Sequence, residues 1–145
     1  IPQNVLKVID KAIPYPIFYR LMFEDRINHV TSYKHVSGKN TDNCVVGDYF
    51  ETGWVDASVP KIQLPVALNL KSLYEQMIVL YIGRPIRTNE PLEELVVRSY
   101  KIRKKQRELQ TLEAKMAKEK QFKNKVDINT QIRNINSELA ALTAE

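Results

Sequence analysis

Five aliphatic residues near the end of the chain, Ile128, Ile132, Ile135, Leu139 and Leu142, step by 4, 3, 4 and 3 positions. That spacing lays one narrow apolar stripe along a helix, the seam by which two helices pack side by side. Upstream, Leu95, Ile102, Leu109 and Met116 recur every seven residues. The two stripes mirror one another about Phe122. If the chain reverses there, Met116 meets Ile128, Leu112 meets Ile132, Leu109 meets Ile135 and Ile102 meets Leu142, with Lys105 opposite Leu139 as the polar exception. A straight helix gives no such match, because its seam would run on to Glu119 and Lys123. The spacing therefore predicts a coiled-coil-like antiparallel helical hairpin with helices over 91–120 and 126–144. Its expected core is Leu109, Leu112, Met116, Phe122, Ile128, Ile132 and Ile135. Phe122 and Val126 are expected to fold inward and close the tip. Asn124 is expected to serve a left-handed turn, and Asp127 to stand in or cap the first turn of the return helix.

The earlier part of the chain has other periods. Asn4 reads as the cap of a short helix with Val5, Val8, Ile9 and Ile13 on its apolar face, ended by Pro14 and Pro16. IFYRLMF (17–23) and INHVTSYKHV (27–36) flank the polar triplet Glu24-Asp25-Arg26, a β-hairpin pattern. SGKNTDN (37–43) reads as a loop, and CVVGDYF (44–50) as a third strand that Gly53-Trp54-Val55 extends. From 69 to 83, Leu70, Leu73, Tyr74, Met77, Ile78 and Tyr81 share one helical face, with Asn69 as N-cap and Gly83 as C-terminal stop. Residues 84–91 then form a linker in which Thr88, Asn89 and Pro91 signal the next helix start. The expected fold is α+β in two domains. Residues 1–85 form a small antiparallel sheet of about three strands with helices covering one face, incomplete at its N-terminus. Residues 86–145 form the hairpin with its tip near Phe122.

Charge and composition narrow the partners. Residues 98–125 hold eleven Lys/Arg against three Asp/Glu, whereas residues 1–89 hold ten against eight. The basic stretch suits phosphate or an acidic partner, and equally a solvated helix face. Arg98, Lys101, Arg103, Lys104, Lys105 and Arg107 are the candidate nucleic-acid contacts, since Ile102 is the only large aliphatic residue among them. The single cysteine, Cys44, allows no internal disulfide and no CxxC metal motif. No apolar run is long enough to span a bilayer, so no membrane role is expected. A chain opening on Ile1-Pro2 reads as a piece of a longer or processed one, and a reducing cytoplasm is the expected location.

Catalytic patterns are sparse. His29 and His35 share a strand face but stand roughly 20 Å apart at ~3.3 Å per residue, too far for one metal. Glu24, Asp25 and Lys34 resemble the acidic and lysine positions of metal-dependent nucleases, where carboxylates hold Mg²⁺ and a lysine polarises water. Here, however, Ser32 stands where a Glu-x-Lys motif has its glutamate. Asp48 and Glu51 beside Tyr49, Phe50 and Trp54 suit a peptide or a base; the favoured alternative makes Phe50 and Trp54 core and the acids rim. There is no glycine-rich phosphate loop and no Gly-x-Ser-x-Gly. No cofactor or metal site and no catalytic residue is assigned.

Several segments carry a family likeness. AIPYPIFYRL (12–21), SYKHV (32–36), VVGDYFETGW (45–54), LPVALNLKSLYEQM (64–77) and KEKQFKNKVDINTQIRNIN (118–136) together resemble the bacterial and archaeal domain of unknown function family 4391. The resemblance implies no activity and no catalytic residues. Members are often encoded near helicases and DNA methyltransferases of restriction or phage-defence type, which implies a nucleic-acid-related complex. The leading expectation is a non-catalytic interaction module whose hairpin docks a protein partner or a second copy. The alternatives are nucleic-acid binding through the basic arm 98–125 and a degenerate or active metal-dependent nuclease.

Overall fold

A computed structural model describes residues 1–36, 44–60 and 63–144, so the loop expected at 37–43 lies outside the described residues. The chain divides into two compact units, Ile1–Arg84 and Pro85–Glu145.

The first unit opens with helix α1 (Gln3–Ala12). Its N-cap is Pro2 and not Asn4, because proline has its φ already set and no N–H to satisfy. Asn4 instead accepts a hydrogen bond from its neighbour Val5 N at 3.1 Å. Ile13, restricted by Pro14, is extended at φ −113° and ends the helix. Strands β1 (Phe18–Phe23) and β2 (Arg26–Val36) pair antiparallel across a two-residue turn, Glu24-Asp25, with Phe23 opposite Arg26. Glu24 takes the left-handed φ of 51° that such a tight turn demands. Arg26 thus belongs to the strand and not to the turn.

Strand β3 (Cys44–Glu51) runs antiparallel along the other edge of β2. The register shifts between Ser32 and Lys34. At that irregularity Lys34 N donates to the Tyr74 hydroxyl at 2.7 Å. A side chain on the neighbouring Gly47 would stand 2.9 Å from the Tyr33 carbonyl oxygen, so the close approach requires glycine. The expected extension of β3 is broken at Thr52–Trp54, where Gly53 adopts φ 76°. Pairing with β2 resumes in the short strand β4 (Val55–Asp56). Among the described residues the result is a four-stranded antiparallel sheet.

Helix α2 (Leu70–Ile82) has both expected ends. Asn69 Oδ1 accepts from Ser72 N at 2.8 Å, and Gly83 caps the C-terminus in the left-handed region. Leu70, the first helical residue, stays exposed, as do Leu64, Val66 and Leu68 in the connector before it. The expectation that helices cover one face is corrected by strand alternation, which sends successive side chains to opposite faces. Leu6 of α1 packs on Val30 and Tyr49 with Tyr19, Leu21 and Val46. Tyr74 of α2 stacks on Tyr33 and meets Phe18 edge-on, and these belong to the other face.

The second unit is a helical hairpin of α3 (Leu92–Lys118) and α4 (Phe122–Thr143). Leu95, Ile102, Ile128 and Ile135 are buried along the seam, and Leu109, Leu112, Met116, Ile132, Leu139 and Leu142 are partly buried. Burying a Leu or Ile contributes roughly 1.5–3 kcal/mol, which makes this seam the main support of the pair. The return helix begins four residues earlier than its apolar stripe suggests, leaving the turn to Glu119–Gln121.

Candidate functional site

The ends of the hairpin are built from charged residues. At its base, Asn89 turns the chain through a left-handed φ of 60°, and Glu90 follows just before α3. Arg98, two turns into α3, grips the Glu90 carboxylate with two hydrogen bonds, Nε–Oε1 at 2.6 Å and Nη2–Oε2 at 2.7 Å. Its Nη2 also donates to the Pro85 carbonyl at 2.9 Å. Glu90 accepts a further bond from Arg87 N at 3.0 Å. The paired guanidinium holds the Glu90 carboxyl below its ordinary range, and Arg98 is raised in turn by Glu90. The Arg87 side chain reaches the last turn of α4 and donates to Ala141 O at 3.0 Å, Leu142 O at 3.1 Å and Ala144 O at 2.9 Å. These are the carbonyls a helix C-terminus leaves without partners, and a cation suits the negative end of the dipole. Arg87, Glu90 and Arg98 form a clasp that ties the linker before α3, α3 itself and the end of α4 together.

This clasp redistributes the expected cationic surface. Arg98 is buried and belongs to the clasp, not to a ligand-facing surface, because its donors already meet a carboxylate and a carbonyl. Arg103 is half-buried with one guanidinium nitrogen enclosed. Lys105 lies between Glu138 at 2.9 Å and Glu108 at 3.3 Å, and its ammonium pKa is raised chiefly by the hydrogen bond to Glu138. Lys101, Lys104 and Arg107 remain exposed. A shallow groove of about 790 Å³ beside them is lined by Lys104, Lys105, Glu108 and Glu138, among others, so its rim carries both signs.

The tip departs from expectation. Phe122 is 82% exposed and Val126 47%, so neither plugs the hairpin. The turn closes without an apolar plug because the Glu119 carboxylate organises it. Glu119 Oε1 accepts from Lys120 N at 2.8 Å and Gln121 N at 2.9 Å, and Oε2 from Asn124 Nδ2 at 3.1 Å. Those hydrogen bonds lower the Glu119 pKa. Asn124 is helical, not left-handed, and contributes through its side chain. Asp127 falls beyond the first turn of α4, which contains no acid. Lys115, Lys118, Lys120, Lys123 and Lys125 are all exposed around this turn.

The first unit encloses a polar cluster. Lys34 Nζ meets Asp10 Oδ1 at 2.8 Å, with the two side chains 2% and 0% exposed. The same ammonium donates to Ile13 O at 2.8 Å and Tyr15 O at 2.7 Å. The ammonium is thus held by two hydrogen bonds and one ion-pair contact against the end of α1. Tyr49 donates to Asp10 Oδ2 at 2.5 Å. Burial, then the Asp10 carboxylate, pushes the Tyr19 phenol up to about 12 and raises that of Tyr49 as well. Such a lysine is not placed to polarise water for a nuclease, and Glu24 and Asp25 sit at the far end of β2 in the hairpin turn. Asp10 was legible only as a polar residue in an amphipathic helix. Its i, i+4 relation to Leu6 was the one available hint, and the apolar stripe Val5, Val8 and Ile9 pointed elsewhere. Those three side chains, with Ile13, are exposed, because α1 turns its Leu6 and Asp10 edge to the sheet.

The remaining candidates scatter. His35 stacks on Tyr33 at 5.6 Å between ring centroids. Glu51 accepts from Asn28 Nδ2 at 3.0 Å at the sheet rim. Phe50 is buried, but Trp54 is 40% exposed and meets the exposed Phe23 edge-on at 6.4 Å. Among the described residues no three His, Cys, Asp or Glu side chains gather to hold a metal ion, and no helix is long and apolar enough to cross a membrane. A family model described as "Domain of unknown function (DUF4391)" matches residues 1–139. No curated protein and no solved structure matches the chain.

Proposed function

This chain belongs to the DUF4391 family, a domain of unknown function, and from that premise we propose that it is a non-catalytic interaction module, part of a nucleic-acid-related complex, whose helical hairpin is the docking arm. One observation carries the reading. The hairpin is closed at its base by the Arg87–Glu90–Arg98 clasp, and Lys101, Lys104, Arg107 and, at the tip, Lys120, Gln121, Phe122 and Lys123 are exposed. A locked two-helix arm loses little freedom when it docks, which favours affinity. The test is to purify the full chain from native extract beside a K104E/R107E variant. A partner retained by the native chain and lost from the variant is expected. Equal retention, or no partner on either, overturns the reading.

A second reading has its own support. Lys101, Lys104 and Arg107 are exposed and not offset by an ion pair among the described residues, so they suit sequence-independent phosphate contact. Replacing all three by Gln is expected to flatten the salt dependence of DNA binding. An unchanged slope places the contact elsewhere.

A further inference from the structure

We infer that the hairpin tip is a binding site for single-stranded nucleic acid, with Phe122 as the base-stacking platform and the surrounding lysines as the phosphate contacts. The inference rests on the hairpin being the docking arm and adds the chemistry of what it docks.

Phe122 is the first residue of α4 and 82% exposed. A lone exposed aromatic ring is unfavourable in water, and nothing in the turn needs it: Glu119 and Asn124 hold the reversal through hydrogen bonds. Val126, one turn on and 47% exposed, shares its side of the helix and widens the apolar spot.

Around that spot stand Lys115, Lys118, Lys120, Lys123 and Lys125, all exposed, against one acid in the same stretch. That acid is Glu119, whose carboxylate already accepts three hydrogen bonds within the turn. The tip therefore presents a flat apolar face inside a positive field. A single strand offers the complement, an unpaired base between phosphates, and lysine ammoniums meet phosphate without reading sequence. Duplex DNA supplies the charge but hides its base faces in the stack. A membrane surface supplies charge too, yet one phenylalanine and a half-exposed valine bury little apolar area there. Among polyanions, the single strand makes use of both the ring and the lysines.

The test uses the full chain and fluorescence anisotropy with labelled oligothymidylate, a duplex of matched length and phosphatidylserine vesicles. Binding to the oligonucleotide is expected to fall roughly tenfold in Phe122→Ala, as loss of one stacked base does, and to be kept in Phe122→Trp. Neutralising two lysines, K120Q/K123Q, is expected to flatten the log–log salt slope by about 1.4. Because Phe122 is exposed, the thermal midpoint of Phe122→Ala serves as the control for folding. Equal oligonucleotide affinity in the native chain and Phe122→Ala overturns the inference, as does duplex or vesicle binding that alone depends on Phe122. Oligonucleotide binding that is lost in K104E/R107E but not in Phe122→Ala also overturns it, while leaving the hairpin as docking arm intact. A protein partner retained by the hairpin with no oligonucleotide bound has the same meaning.

Discussion

Lys34–Asp10 and Arg98–Glu90 are both nearly enclosed ion pairs, at 2.8 and 2.6 Å, but they join different ranges of chain. The first links a helix to the middle strand of a sheet 24 residues later, and Tyr49 from β3 completes it. The second links residues eight apart at the start of one helix, and its neighbour Arg87 brings in the far end of the other. In the sheet unit the pair sits inside the core, where each is the charged partner of the other and the remaining contacts, Ile13 O, Tyr15 O and the Tyr49 hydroxyl, are neutral. In the hairpin it sits at the end of an apolar seam that already holds the helices together. A buried charge left without its partner is costly, whereas a pair is replaced by apolar groups at little cost. The two pairs should thus fail differently.

The largest effect is expected from Asp10→Ala, which strands the Lys34 ammonium in the core and costs about 3–5 kcal/mol. Urea unfolding followed by Trp54 fluorescence measures it, and the loss should shrink in the double variant Asp10→Leu, Lys34→Met. Next comes Ile102→Ala, which cuts a fully buried seam residue and is expected to cost about 2–4 kcal/mol of hairpin stability. If helix-monitored unfolding places its effect below that of Arg98→Met, the clasp and not the seam dominates the hairpin.

Acid comes third in this order. Glu90 has a carboxyl depressed below 4.5 in the folded chain, so below that value the unfolded chain binds the extra proton first. The clasp's contribution is present above pH 4.5 and is lost as pH falls through the lower folded value. Circular dichroism melts in that window should decline in the native chain and be flatter in Glu90→Gln. The smallest expected effect is that of Phe122→Ala, within about 0.5 kcal/mol, since its ring is in water. A loss comparable to that of Ile102→Ala would restore the ring as part of the hairpin core and remove the argument for a tip site.

The hairpin was the more legible half. Its seam is local and periodic, and Leu109, Leu112 and Met116 of α3 and Ile128, Ile132 and Ile135 of α4 are buried or partly buried. The caps Asn69 and Gly83 were readable for the same reason, being short-range rules of backbone geometry. At the tip, mirror symmetry puts the reversal at Phe122, just past the actual turn at Glu119–Gln121, and carries nothing of the chemistry that closes it. A plug of Phe122 and a carboxylate at Glu119 both satisfy the same spacing, and hydrogen bonds to backbone amides leave no period in a sequence.

The sequence by itself determined the α+β composition of elements, the strand pairing of the first hairpin and the helical period of the second, because each follows from contacts between near neighbours. It left open which edge of α1 faces the sheet, which sheet face each helix covers, and which charges are internal. Those were decided by tertiary structure alone. Val5, Val8 and Ile9 form the more hydrophobic stripe, yet Leu6 and Asp10 are buried, since Lys34 and Tyr49 on strands distant in sequence offer Asp10 its partners. Arg98 and Lys104 look alike in a basic run, and only the folded position of Glu90 makes one a structural clasp and leaves the other on the surface. Burial of a charge depends on where its partner lands in space, and residue type carries no record of that.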